Sequence, residues 1–157
     1  MEARLDLFGS PLAGTFMKHL ASAGRVLQGG AVPAATQELV NLRTSQINGC
    51  GFCTDMHTKE AVRAGEDPTR LHLVATWREA TVFTDAERAA LELAEQGARL
   101  ADAAGGVTDE AWQNAAKHYD EAGLVALVCQ IAAINAFNRL NVLTRQPAGD
   151  YVPGMFG

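Results

Sequence analysis

The hydrophobic stretches of the chain are separated by residues that start or end helices, and strand signals are nearly absent. Ser10 precedes Pro11, and Thr84 lies three residues before Glu87, which is the spacing of a capping box. This pattern predicts an all-α fold. The expected helices cover residues 10–27, 33–48, 51–64, 69–80, 85–103, 108–117 and 121–144.

The last of these helices, residues 121–144, carries apolar residues around much of its circumference. A helix that is apolar on most sides is usually buried on most sides. We therefore expect this helix at the centre of the bundle or at a subunit contact. Cys129 lies within it, and because an unpaired cysteine commonly behaves as a small hydrophobic residue, we expect Cys129 to be part of the core.

The C-terminal arm, about residues 146–157, contains glycine and proline and is predicted to be extended. It also carries Tyr151, Val152, Met155 and Phe156. Such a group of apolar side chains favours contact with protein over exposure to water. The arm is therefore expected to pack on another part of the molecule.

Composition favours one globular domain, residues 1–157, because the length suits a single core and the chain is 48% hydrophobic and 20% charged. The net charge of −5 and the scattered basic residues argue against nucleic acid or an anionic membrane as partner. The chain does not open with a secretory-type apolar segment, and no apolar run reaches the roughly 20 residues of a membrane span. We expect a cytoplasmic protein that needs neither a cofactor nor a metal.

Reactive side chains are concentrated in the segment NGCGFCTDMH, residues 48–57. On a helix, at about 100° per residue, Cys50, Cys53 and His57 fall within an arc of roughly 60°. The cysteines are one turn apart and can close a disulfide, while His57 follows Cys53 at the spacing that lets an imidazole approach a sulfur. Cys53 would lie in the first helical turn, where unpaired backbone N–H groups favour a thiolate. Gly49 predicts a tight hairpin with the preceding helix.

The longer segment ELVNLRTSQINGCGFCTDMH resembles the signature of the AhpD-like alkyl hydroperoxidases, within the carboxymuconolactone decarboxylase superfamily. That signature is Glu, eleven residues, Cys-x-x-Cys, three residues and His, which Glu38, Cys50, Cys53 and His57 match position by position. The signature occupies about residues 33–64, and with the later INAFNRL the resemblance to the peroxidase-related branch extends over roughly residues 33–145. Some relatives carry a second histidine between the cysteines, where this chain has glycine and phenylalanine.

The resemblance implies an AhpD-like helical bundle, with the cysteine motif at the N-terminal end of a helix, and a thiol-dependent peroxidase. In that mechanism Glu38 orients or deprotonates His57, often through a water, and His57 activates the thiol pair. Cys53 attacks an organic hydroperoxide and becomes a sulfenic acid, and Cys50 condenses with it to form a disulfide. An external dithiol, in some relatives on a lipoyl-carrying protein, restores the thiols. The resemblance further implies a homo-oligomer, a trimer or a hexamer.

Two alternatives for the cysteine motif remain open at the level of sequence. Cys50, Cys53 and His57 could bind zinc if the fold delivered a fourth ligand, for which His72 is a candidate. Alternatively, the protein could be a redox sensor or an oligomeric binding protein, in which the disulfide changes assembly rather than completing a catalytic cycle.

Several other side chains have a functional and a structural interpretation. Asn41 and Ser45 lie on the Glu38 helix and either line a pocket or bond to the backbone. Asn138 lies within an apolar helix, so it either bonds to a buried partner or faces solvent. The large aromatic residues are expected to be packing anchors: Trp77, Phe83 and Trp112.

Overall fold

In the computed structural model, residues 2–102 and 105–156 are described, and this part of the chain is helical with no strand. The all-α prediction is confirmed. The seven α-helices are α1 Pro11–Arg25, α2 Ala34–Ile47, α3 Gly51–Arg63, α4 Pro68–Leu73, α5 Asp85–Ala98, α6 Asp109–Ala116 and α7 Glu121–Thr144, with a 3-10 turn at Val74–Thr76.

Capping side chains fix where several of these helices begin. The Thr84 hydroxyl accepts a hydrogen bond from the Glu87 backbone N–H at 3.2 Å, and the Glu87 carboxylate accepts from the Thr84 N–H at 2.8 Å. This reciprocal pair is the predicted capping box at the start of α5. The Ser10 hydroxyl caps α1 in the same sense, by accepting from the Ala13 N–H at 3.4 Å.

Two predicted helices are longer than the observed ones. The helix expected over 69–80 ends as α4 at Leu73 and continues only as the 3-10 turn. The Arg88 guanidinium donates to the carbonyls of Trp77 and Ala80, so an arginine satisfies acceptors that a longer helix would have paired internally. The helix expected over 85–103 ends at Ala98, and position 103 lies outside the described residues.

The most central helix is α2, which packs against α3, α5 and α7. Its buried residues lie on nearly all sides: Thr36, Leu39, Val40, Asn41, Leu42, Thr44 and Ser45. Polar and apolar residues are therefore mixed around its circumference, and the sequence of α2 shows no single apolar face. The other helices supply the packing that holds it in place.

In the single chain, α7 is buried along one side and is not the central helix of the bundle, and the alternative expectation of a subunit contact stays a prediction. The buried residues of α7 form one stripe: Gly123, Leu127, Ile131, Ile134, Asn138, Asn141 and Thr144. The residues that flank this stripe are half-buried, and the opposite side, including Val125, Val128 and Leu143, is exposed in the single chain. By length and composition alone α7 could span a membrane, but a soluble core helix passes the same test, and its buried stripe packs into the bundle.

Cys129 and Trp112 also differ from expectation, since both are exposed rather than part of the core. They lie on the outward side of α6 and α7, where no other part of the described chain covers them. Trp77 and Phe83 are buried, as predicted, in a cluster between α2, α4 and α5. Apolar character alone did not reveal which side of α7 has a neighbour to pack against.

We predict that Leu91→Ala lowers the free energy of unfolding by about 2–5 kcal/mol, because Leu91 is fully buried in this cluster and its removal leaves a cavity. Leu12 is exposed on α1 and serves as the matched control. Leu12→Ala should change the same quantity by no more than about 0.5 kcal/mol. Urea denaturation measures both variants, and equal losses would contradict the assignment of the core.

Candidate active site

The hairpin of α2 and α3 brings the four signature residues together. Gly49 adopts a φ of +66°, which an L side chain rarely tolerates, and this lets α2 end and α3 begin within a few residues. Cys50 is the N-cap of α3, and Cys53 and His57 follow on that helix. Glu38 projects from the first half of α2, so packing of the two helices places it opposite α3.

His57 and Glu38 are in direct contact. The ring Nδ1 of His57 lies 2.8 Å from Oε2 of Glu38, a hydrogen-bonded ion pair when the ring is protonated. The histidine side chain is 12% exposed and the glutamate 30%. The predicted relay pair is therefore present without a bridging water. Because Nδ1 is held by the carboxylate, Nε2 is the ring nitrogen that can exchange a proton elsewhere.

A second line of polar contacts holds Glu38 in place. The Asn41 amide donates to Oε1 of Glu38 at 3.4 Å, and Gln130 of α7 donates to the Asn41 side-chain oxygen. Asn41 thus acts on the relay carboxylate rather than on the backbone alone. The contact also ties the first half of α2 to α7 near the site.

Both sulfurs are buried, and no disulfide joins them. Cys50 is 2% exposed and Cys53 1% exposed. The backbone N–H of Cys53 donates to Sγ of Cys50 at 3.3 Å, so the Cys50 sulfur caps α3. From the sequence, the unpaired N–H groups at this helix end are expected to stabilise the Cys53 sulfur. In the structure the Cys53 N–H binds the Cys50 sulfur instead, because a side chain at the N-cap is placed to accept from the first turn.

Neighbouring side chains shift the pKa values of the two thiols in opposite directions. The pKa of Cys53 is lowered to about 7, first by the hydrogen bond from the Cys50 thiol, then by the Asn138 and Asn141 amides and the charge of His57, against the opposing effect of burial. The hydrogen bond to Cys53 and burial raise the pKa of Cys50. If one proton leaves the pair, it therefore leaves Cys53, and Cys50 keeps its own.

Asn141 is the site residue that the sequence interpretation missed. Its amide donates to Sγ of Cys53 at 3.3 Å and to the Phe137 carbonyl at 3.0 Å. The signal that could have found it is spacing, because asparagines at 135, 138 and 141 follow one another at intervals of three within an apolar helix. Polar residues at that spacing share one face, and a buried polar face needs partners.

The same face of α7 carries a buried amide network. The Asn138 amide donates to Oγ of Ser45 at 3.0 Å, and Ser45 donates to the Asn41 carbonyl at 2.7 Å. Asn48 in turn donates to the side-chain oxygens of Asn135 and Asn138, each at 2.9 Å. Asn138 and Ser45 are both buried, so these are structural bonds that join α2 to α7 directly behind the sulfurs.

A cleft of about 570 Å³ opens beside the start of α3. It is lined by Ser45, Gln46, Cys50, Thr54, Ala148 and Gly149, among others. Among the described residues, Cys50 is therefore the cysteine that borders the cleft, and Cys53 does not border it.

One wall of this cleft is the C-terminal arm, which packs back on α3 as predicted. The Asp55 carboxylate accepts from the backbone N–H of Gly149 at 2.8 Å and of Tyr151 at 3.3 Å. Lys59, one turn further along α3, donates to the carbonyls of the same two residues at 2.8 and 3.0 Å. The Tyr151 hydroxyl donates to Glu60. Residues on two neighbouring turns of α3 thus fix the path of the arm.

Aromatic rings close the site on the arm side. Phe52, which stands between the two cysteines, packs near Phe8, Tyr151 and Phe156, with ring centroids 5.5, 6.3 and 6.5 Å away. Phe52 also packs against the buried group of Cys50, Cys53 and Ile134. Phe52, one of the two residues between the cysteines, therefore attaches the arm to the cysteine motif.

The zinc interpretation finds no support in the geometry. Within residues 2–102 and 105–156, no group of three or more His, Cys, Asp and Glu side chains is placed to hold a metal ion. His72, the candidate fourth ligand, is exposed on α4. His19 and His118 are exposed as well.

Comparison with known proteins agrees with this description. YdfG of Bacillus subtilis is 36% identical over 126 residues, which is 80% of this chain and 84% of that protein. ATU0492 of Agrobacterium tumefaciens, a protein of unknown function described as a candidate AhpD-type antioxidant defence protein, superposes with a TM-score of 0.86 at 30% identity, covering 96% of this chain and 100% of that one. The debrominase Bmp8 superposes with a TM-score of 0.78 over 92% of this chain and 75% of its own, and at 17% identity this shows the fold alone.

The sequence profile of the carboxymuconolactone decarboxylase family matches residues 11–96, which contain all four signature residues. The matched range spans α1 to most of α5, including the whole hairpin that carries the site. Family match, fold and site geometry agree, and the chain belongs to the carboxymuconolactone decarboxylase family as an AhpD-like member.

Proposed function

We propose that this chain is a thiol-dependent peroxidase that reduces alkyl or other organic hydroperoxides. The observation that supports it best is the Cys53 sulfur, whose pKa is lowered to about 7. It lies on the helix that also carries His57, and the His57 ring is held by Glu38. A buried thiolate backed by an imidazole and a carboxylate is the arrangement that thiol-based attack on a peroxide requires.

The first step oxidises Cys53. Its thiolate attacks the terminal oxygen of the hydroperoxide, the S–O bond forms and the O–O bond breaks. The leaving alkoxide takes a proton from His57, so an alcohol departs and Cys53 becomes a sulfenic acid. Glu38 stabilises the protonated imidazole before the transfer, at 2.8 Å from Nδ1, and holds the ring in one orientation throughout.

The second step forms the disulfide. The Cys50 sulfur attacks the sulfenic sulfur of Cys53, the S–O bond breaks, and the thiol proton of Cys50 leaves with the hydroxyl as water. A dithiol then reduces the Cys50–Cys53 disulfide, and we propose a lipoyl-carrying protein as one source of that dithiol. The cycle therefore needs one peroxide, one dithiol and no bound cofactor.

Assembly and location stay predictions. A homo-oligomer, trimer or hexamer, would cover the apolar residues that α7 exposes in the single chain, such as Val128 and Leu143. The redox-sensor alternative uses the same disulfide. Comparing the rate of turnover with the oligomeric state before and after oxidation distinguishes it from catalysis. Rapid dithiol-dependent turnover, with the same oligomeric state before and after oxidation, disfavours the sensor.

The pH dependence of Cys53 alkylation tests the thiolate. The rate of iodoacetamide labelling, assigned to Cys53 by peptide mass spectrometry, should rise through about pH 7, because the thiolate is the reactive form and its pKa is lowered from the usual 9.0. Asn141→Leu removes a donor that favours the charged sulfur, so it should move the midpoint upward. Asn135 lies on the same helix but has no described contact with a sulfur, so Asn135→Leu should leave the midpoint of Cys53 labelling unchanged. A wild-type midpoint near 9.0 would contradict the assignment.

Peroxidase assays test the activity itself. With cumene hydroperoxide and dithiothreitol, Cys53→Ser should abolish turnover, and His57→Ala and Glu38→Ala should each lower kcat/KM by about 10²-fold, the usual contribution of a general acid or base. Cys129→Ser and His118→Ala are the matched controls, since both side chains are exposed outside the site. Their turnover should equal that of the wild type. Wild-type turnover no faster than that of Cys53→Ser, across several dithiols, would refute the proposed function.

A further inference from the structure

We propose that the reductant attacks the disulfide at the sulfur of Cys50, through the cleft between α3 and the C-terminal arm. This inference rests on the proposed function and specifies which sulfur is attacked when the disulfide is reduced. It assigns the two cysteines different partners, with the peroxide meeting Cys53 and the external dithiol meeting Cys50.

Both cysteines are buried, at 2% and 1% exposure, but only Cys50 belongs to the lining of the cleft. Cys50 forms part of the wall of the 570 Å³ cleft, together with Ala148 and Gly149 of the arm. Cys53 lies one turn further into α3, and its sulfur accepts a hydrogen bond from Asn141 of α7. Both cysteines pack against Ile134. A thiol on an external molecule that enters this cleft therefore approaches Cys50, because Cys53 does not line it.

The chemistry of exchange favours the same direction. A thiolate of the dithiol attacks Sγ of Cys50, the Cys50–Cys53 bond breaks, and Cys53 leaves with the electron pair as a thiolate. The second thiol of the reductant then attacks the reductant sulfur that is bonded to Cys50. This releases the Cys50 thiolate, which takes up a proton, and the reductant leaves as an intramolecular disulfide. The thiol of lower pKa is the better leaving group, and Cys53 is that thiol here.

The cleft runs between α3 and the arm. Its arm-side wall is close, because a Cβ built on Gly51 would lie 3.3 Å from Cβ of Ala148. Gln46 also lines the cleft, and its side-chain oxygen is buried without a hydrogen-bond partner among the described residues.

Mapping the mixed disulfide tests the proposal on wild-type protein. The disulfide is first formed with diamide, so that the experiment does not depend on peroxidase activity. Excess glutathione is added, the reaction is stopped with acid within the first turnover, and free thiols are alkylated before peptide mass spectrometry. We expect glutathione on Cys50 to exceed glutathione on Cys53 by about tenfold or more, since access decides which sulfur is attacked. Equal labelling, or more on Cys53, would overturn the proposal.

A variant of the arm tests the route. Ala148→Trp should fill the cleft and slow reduction of the diamide-formed disulfide by dithiothreitol by about tenfold, because exchange depends on access to the attacked sulfur. The rate of oxidation by cumene hydroperoxide should stay within about twofold, and Ala148→Ser should leave both rates unchanged. Slower oxidation with unchanged reduction would refute the route. If glutathione maps to Cys50 while the wild type fails to turn over peroxide, the proposed function fails and the direction of exchange stands.

Discussion

The site depends on the packing of α2 against α3, because this contact alone sets a carboxylate from one helix 2.8 Å from the imidazole of the next. The two helices are joined by a turn that Gly49 permits, and both of them are held from behind by α7. Any change in the angle of the hairpin would separate Glu38 from His57 before it disturbed either helix. The central position of α2, packed on several sides, is what prevents that change.

Burying this much polar chemistry has a cost, which the amide network on α7 offsets. Unpaired amides and hydroxyls inside a protein each cost about 1–3 kcal/mol. Here Ser45, Asn48 and Asn138 bond to one another across the α2–α7 contact. The same helix face then presents Asn141 to the Cys53 sulfur. The structure thus uses one polar stripe both to join two helices and to stabilise a buried thiolate.

The sequence predicted the elements and the four signature residues, because caps, glycines and motif spacing are local properties. Thr84 with Glu87, and the hairpin at Gly49, are of this kind. It did not predict which side of α7 is covered, so Cys129 was placed in the core although it is exposed. Nor did it identify Asn141, whose contact with Cys53 joins residues 88 apart along the chain. Such contacts depend on tertiary packing, which no local pattern encodes.

The two cysteines differ because one begins a helix and the other lies within it. Cys50 occupies the N-cap, so its sulfur bonds to the backbone and borders the cleft. Cys53 lies inside the first turn, so its sulfur is surrounded by the Cys50 thiol and side-chain amides that favour the thiolate. If α3 began three residues later, Cys53 would occupy the N-cap and Cys50 would lie outside the helix. The position of the helix N-terminus therefore decides which sulfur accepts from the backbone and which is surrounded by side-chain donors that lower its pKa.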